Sequence, residues 1–124
     1  MKLLLVLVLL CWLFIGDFWV THYSCSWQEN TEWCITASGK RCSLSTAASY
    51  PGAFRVGAED GDILYIEGIG TKMIQDTGWG PDDGRPWVDV WRPTRKGALA
   101  RGASWRRVYM WIDCRDAMLP ELRK

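Results

Sequence analysis

Residues 3–15 are an unbroken apolar run, after which the chain changes character: short β-branched, aromatic and aliphatic stretches alternate with turns rich in Gly, Pro, Asp and Ser. That spacing marks strands joined by tight turns. It predicts strands at 18–24, 63–67, 71–75, 87–91 and 107–112. Gly68-Ile69-Gly70 between the second and third marks a hairpin, because glycine takes positive φ without strain. The polar stretch 25–42 reads as loop with short extended pieces, and 79–86, with two prolines and two glycines, as a surface loop. After Pro93, Thr94 suits an N-cap, 95–101 a two-turn helix and Gly102 its left-handed stop. Nothing repeats at a solenoid period. The pattern predicts a mostly β fold with one short helix and a loosely held tail at 115–124.

The opening run sets the expected destination. As a helix, residues 3–15 would rise about 20 Å, short of a hydrocarbon core of roughly 30 Å, which suits a secretory segment better than a spanning helix. Residues 1–16 are therefore read as a signal peptide or an uncleaved signal anchor, with Gly16 before the cut and bulky Phe14 arguing for the anchor. Cys11 follows Leu10 rather than the small residue a lipoprotein site takes. The protein is expected outside the cytoplasm, touching membrane only through this segment if it is retained.

With 124 residues, one domain over 17–114 is the natural division. An apolar fraction of 48% and nine tryptophans can fill a core and leave rings for a binding surface. Lys2 is the sole charge in 1–16, so the remainder is formally neutral, which argues against a nucleic-acid partner. The charges are segregated: 59–89 is mostly acidic, whereas 92–107 holds six basic residues and no acid, a solvated face or a seat for the carboxylates of a peptide-bearing glycan. Outside the leader lie Cys25, Cys34, Cys42 and Cys114, which in an oxidising compartment read as two disulfides of open connectivity. No Cys-x-x-Cys occurs and His22 is the only histidine, so no metal is expected. Nucleotide loops and nucleophilic triads are missing too, and no cofactor is expected.

Two carboxylates stand out by position. Asp89 interrupts a run of strong strand formers, Trp87-Val88-Asp89-Val90-Trp91; with the valines inward, the period of two puts it on the outer face with Trp87 and Trp91, facing either solvent or a ligand. Asp76 ends a strand in Gln75-Asp76-Thr77-Gly78, a pattern that also suits an Asx turn.

At these residues the chain resembles a known family. Thr21-His22-Tyr23, Thr36-Ala37-Ser38-Gly39, Ala47-Ala48, Leu64-Tyr65-Ile66, Gln75-Asp76-Thr77-Gly78, Val88-Asp89-Val90-Trp91 and Trp105-Arg106-Arg107-Val108 follow in the order of the three-aspartate domain. That domain is shared with membrane-bound lytic transglycosylase A and is related to the double-psi barrels of rare lipoprotein A and expansins. The resemblance runs over roughly residues 20–112. It implies a six-stranded double-psi β-barrel whose aspartates line a groove for a glycan strand.

The activity so implied is lytic-transglycosylase cleavage between N-acetylmuramic acid and N-acetylglucosamine in peptidoglycan, with Asp89 as acid and later base and Asp76 assisting. Two carboxylates in a partly dry groove cannot both ionise cheaply, which leaves one as a proton donor near neutral pH. Trp79 and Trp87 are candidate sugar-stacking rings, and Thr77, Gly78, Tyr23 and Ser49 complete the expected substrate-binding set. Ser49 stands where the family has its first aspartate, which favours an alternative: a non-catalytic glycan-binding or wall-loosening module of the expansin kind. The expected partner is the glycan strand, bound by a monomer.

Overall fold

The computed structural model describes residues 10–25, 34–56 and 61–113. Among them six strands close into a barrel: β1 (Leu10–Tyr23), β2 (Thr46–Ser49), β3 (Ile63–Ile66), β4 (Gly70–Thr77), β5 (Trp87–Trp91) and β6 (Ser104–Asp113), in the spatial order β1-β5-β2-β4-β3-β6. The β1/β5 and β2/β4 pairs are parallel and the other four antiparallel. The expected six-stranded, mostly β architecture is what the chain forms.

The interior is built by strict alternation. Val20, Ala47, Leu64, Ile66, Ile74, Val88, Val90 and Val108 are fully buried and in mutual contact. Val88 and Val90 point inward, and with them β5 commits Asp89 to the outer face. Closure also leaves no open sheet edge where all six strands pair.

The hairpin forms as predicted, with Gly68 and Gly70 at φ of 78° and 117° between β3 and β4. Helix α1 (Arg95–Arg101) follows β5, and the Thr94 hydroxyl accepts from the Gly97 amide at 3.0 Å. Gly102 ends it at φ 66° and ψ −145°, a region open to glycine but outside the left-handed helical well that was expected. Helix α1 packs on β1, and Ala98 is its buried residue.

Three expectations need correction. The first strand begins at Leu10 rather than at 18, so the described part of the leader, residues 10–16, is strand paired with β6; residues 1–9 and the tail lie outside the described residues. A bulge between Phe14 and Gly16 explains why alternation failed to announce it: Phe14 pairs with Tyr109 and Gly16 with Val108, leaving Ile15 unmatched and packed against the core. Strand β2, Thr46–Ser49, was not anticipated, since four small polar and apolar residues carry little strand signal.

The third concerns sulfur. Cys34 lies at disulfide distance from both Cys25 and Cys42, with Cα separations of 5.5 and 5.6 Å, and the three sulfurs lie within 4.8 Å of one another. Cys11, set aside with the leader, is itself disulfide-bonded in β1, and Cys114 lies outside the described residues. Cys34 and Cys42 pack with Trp91 and Tyr23, fastening the 34–42 loop over the C-terminal end of β5.

Candidate active site

One row of paired residues crosses the outer face of half the barrel. Thr21 of β1 is registered with Asp89 of β5, Asp89 with Ala48 of β2, and Ala48 with Asp76 of β4. Paired residues share a face, so both carboxylates stand on the outside with the methyl group of Ala48 between them, their backbones about 10 Å apart. Asp76 reaches this face through a bulge. Ala47 pairs with Ile74 but Ala48 pairs with Asp76, so Gln75 is skipped. Unbroken alternation from inward-facing Ile74 would have put Asp76 inside; the extra residue turns it out.

Asp89 is held at one oxygen. The Thr21 hydroxyl donates to its Oδ1 at 2.8 Å, and the Trp87 indole Nε1 donates to Thr21 Oγ1 at 2.8 Å. Indole is a donor only, so Thr21 must spend its own proton on Asp89. Asp89 Oδ2 has no hydrogen-bond partner among the described residues and is not among the sealed polar atoms. Any proton the carboxyl carries therefore belongs on Oδ2. Burial raises Asp89 to about 6; the Thr21 hydrogen bond pulls the other way and the charge of Asp76 adds to the rise. The expected mutual repulsion of the two acids is thus present but secondary to desolvation.

Asp76 is held far more fully. Its Oδ1 accepts from the backbone amides of Ala37 and Thr77, both at 2.9 Å, and its Oδ2 from the Tyr23 hydroxyl at 3.0 Å. The Tyr23 phenol is pushed well above its ordinary range by burial, by the charge of Asp76 and its hydrogen bond to it, and by the charge of Asp89. Tyr23 stays a donor. The Thr77 amide lies one residue on, not the two an Asx turn spans, and the Gly78 amide is spent on the Ser49 carbonyl, so the turn allowed by the sequence does not form and the other two partners of Asp76 are long-range.

The expected substrate-binding set divides. Tyr23 and Thr77 bond Asp76, Gly78 backs the Trp87 ring with its amide spent on the Ser49 carbonyl, and Trp79 is 87% exposed, free to offer a ring. Trp87 is corrected: it is 5% exposed, its ring covered by Tyr50, Gly78 and Gly80, so it cannot stack on a sugar. Ser49 is corrected as well. It is buried and its hydroxyl donates to the Trp87 carbonyl at 2.8 Å, tying β2 to β5 instead of facing a ligand. Thr21 was missed as a site residue; it sat in a quoted motif, but only its register with Asp89 gives it a role.

A cavity of about 340 Å³ opens beside the site, lined by Phe18, Ser49, Tyr50, Phe54, Pro86 and Trp87 among others. Trp87 joins the two regions, walling the cavity with its ring and reaching Thr21 with its nitrogen. The loop above is pinned by the Tyr50 hydroxyl, within reach of the Pro81 and Arg85 carbonyls at 3.1 and 2.9 Å. The three clustered cysteines offer soft ligand atoms, but no donor of the carboxylate row lies among them.

No family model, no curated protein and no solved structure matches this chain.

Proposed function

We propose that this is an exported enzyme of the lytic-transglycosylase type that cleaves the glycosidic bond between N-acetylmuramic acid and N-acetylglucosamine in peptidoglycan. The observation that carries the reading is the state of Asp89: a desolvated carboxyl raised to about 6, fixed at Oδ1 and open at Oδ2. A general acid works best when its pKa approaches the working pH. Asp89 would hold its proton in a minority of molecules at pH 7 and in a majority at pH 5.

The proposed step runs as follows. The Oδ2 proton passes to the glycosidic oxygen as its bond to the muramyl anomeric carbon breaks, and the N-acetylglucosamine side leaves as an alcohol. The carboxylate then takes the proton of the muramyl 6-hydroxyl, whose oxygen closes on the anomeric carbon to give a 1,6-anhydro end. No water is consumed, and the proton balance closes on Asp89 alone. Asp76, held by three donors, supplies fixed negative charge near the developing oxocarbenium ion. Trp79 offers a face to a neighbouring sugar.

The test is incubation of purified peptidoglycan with the wild type and with Asp89→Asn, with released fragments analysed by mass. Anhydro-muropeptides from the wild type alone support the enzyme. One observation favours a second reading, a glycan-binding or wall-loosening module: buried Ser49 puts no third carboxylate at the groove. Binding that survives Asp89→Asn, with no fragments from either protein, would decide for the module.

A further inference from the structure

Strands β1 and β6 run past the rest of the barrel. The last β3 partner of β6 is Leu64 opposite Met110, yet β1 and β6 stay paired to Leu10 and Asp113. The result is a projecting two-stranded ribbon. Its outer face is aromatic: Trp12 meets Trp111 at 4.9 Å, Phe14 meets Tyr109 at 5.4 Å, and Tyr65 stands beside Trp12 and Tyr109 at 6.1 and 6.2 Å. These rings pack on one another and yet stay open to solvent. Trp12, Phe14, Tyr65 and Trp111 are each 39–52% exposed, and so is Leu13 on the opposite side.

One strand position deeper the same face turns charged. Asp17 is registered with Arg107, and Arg107 pairs with Glu67 at 3.9 Å. The surface thus grades from charge, through a belt of Trp and Tyr, to the strand end from which the chain leads back into residues 3–9, all of them Leu or Val. Tryptophan and tyrosine favour the boundary between hydrocarbon and water, where an apolar body and a polar edge are both satisfied. The ring planes are tilted 49–64° to one another, so they present no common flat face on which a sugar could lie.

We propose that residues 10–16 are retained in the folded protein and that the β1/β6 ribbon seats its aromatic face in the lipid interface, with Trp12 and Trp111 at its centre. Cutting after Gly16 would strip β6 of its β1 partners from Val108 to Asp113 and remove Ile15 from the core. The occupant of the face is a bilayer. This inference stands apart from the catalytic reading and holds whether or not Asp89 cleaves glycans.

The test uses the full chain on phosphatidylcholine vesicles, plain or brominated. Bromine quenches tryptophan emission only at short range, so the wild type should lose emission on brominated vesicles. Trp12→Phe/Trp111→Phe, which keeps the ribbon apolar, should still float with vesicles but show at most half that loss. A second measurement needs no variant: aqueous iodide should quench wild-type emission less once vesicles are present. An equal bromine loss in wild type and variant, or none in either, overturns the seat. So does a protein recovered from the envelope beginning at residue 17, or one whose rings are shielded from iodide by self-association without lipid.

Discussion

Thr21 Oγ1 stands 2.8 Å from Asp89 Oδ1 while receiving the Trp87 indole proton, and this single hydroxyl directs the Asp89 proton to Oδ2 and weakens the hold that burial gives it. Thr21→Val keeps the shape and removes the donor. Because that hydrogen bond lowers the Asp89 pKa, its loss should raise the midpoint above about 6. Carbon-13 titration of the Asp89 carboxyl reads this directly. An unbonded Trp87 Nε1 should lower stability by about 1–3 kcal/mol. An unchanged midpoint would remove Thr21 from the site.

Asp89→Asn should raise stability at alkaline pH while abolishing any cleavage. Between about 3.8 and 6 the folded protein holds a proton that the unfolded chain has released, so stability falls as pH rises through that window. The shift corresponds to about 3 kcal/mol. Asparagine is neutral throughout and still accepts from Thr21. Urea unfolding should therefore find the variant more stable at pH 8 by up to about 3 kcal/mol and level with the wild type below pH 4. The same gap at both pH values would contradict the assigned desolvation.

Gly80→Ala should damage the site without touching a carboxylate. Gly80 has φ +61°, and an added Cβ would lie 2.6 Å from the Trp87 ring and 2.8 Å from that of Tyr50. Trp87 is buried and cannot swing clear. A loss of about 1–3 kcal/mol is expected in thermal or urea unfolding. Displacement of Trp87 should also weaken its bond to Thr21, visible as a shift of the indole N–H resonance. A variant as stable as the wild type would show that this loop yields.

His22 should behave as a neutral residue across the physiological range. Burial lowers it to about 4, helped by the charges of Arg92, Arg101, Arg106 and Lys72, and Arg92 Nε donates to its Nδ1 at 3.2 Å. Stability linked to this histidine is complete above its unfolded value of 6.5 and is lost as pH falls toward 4. Proton NMR should show no imidazole titration between pH 6 and 8. Arg92→Gln should move the midpoint up, though not back to 6.5, because burial remains. A midpoint near 6.5 in the wild type would refute the placement.

Much of the barrel could be read in advance because its signals are local. Alternating valines about Asp89, the glycines between β3 and β4, and the Thr94 cap each act within a few residues, and each appears where expected. Ser49 and Trp87 were misjudged for the opposite reason. Nothing within four residues of either says that the Gly78 to Gly80 turn folds over the indole or that the Ser49 hydroxyl finds the Trp87 carbonyl.

Alternation and turn chemistry alone determined that this chain is mostly strand and that Val88 and Val90 share one face of β5 with Asp89 on the other; the barrel made the valine face the inner one. Only the closed barrel decided that Asp76 joins it. The extra residue at Gln75 turns Asp76 outward against its own strand's period, and the register of β2 with both neighbours sets the two acids on either side of Ala48. Barrel closure likewise drew residues 10–16 into β1, since partners on β6 outweigh what an apolar run suggests by itself. Local sequence fixes which way a side chain points along an unbroken strand; bulges and pairings across the sheet depend on the neighbouring strands, and those are known only once the chain has closed.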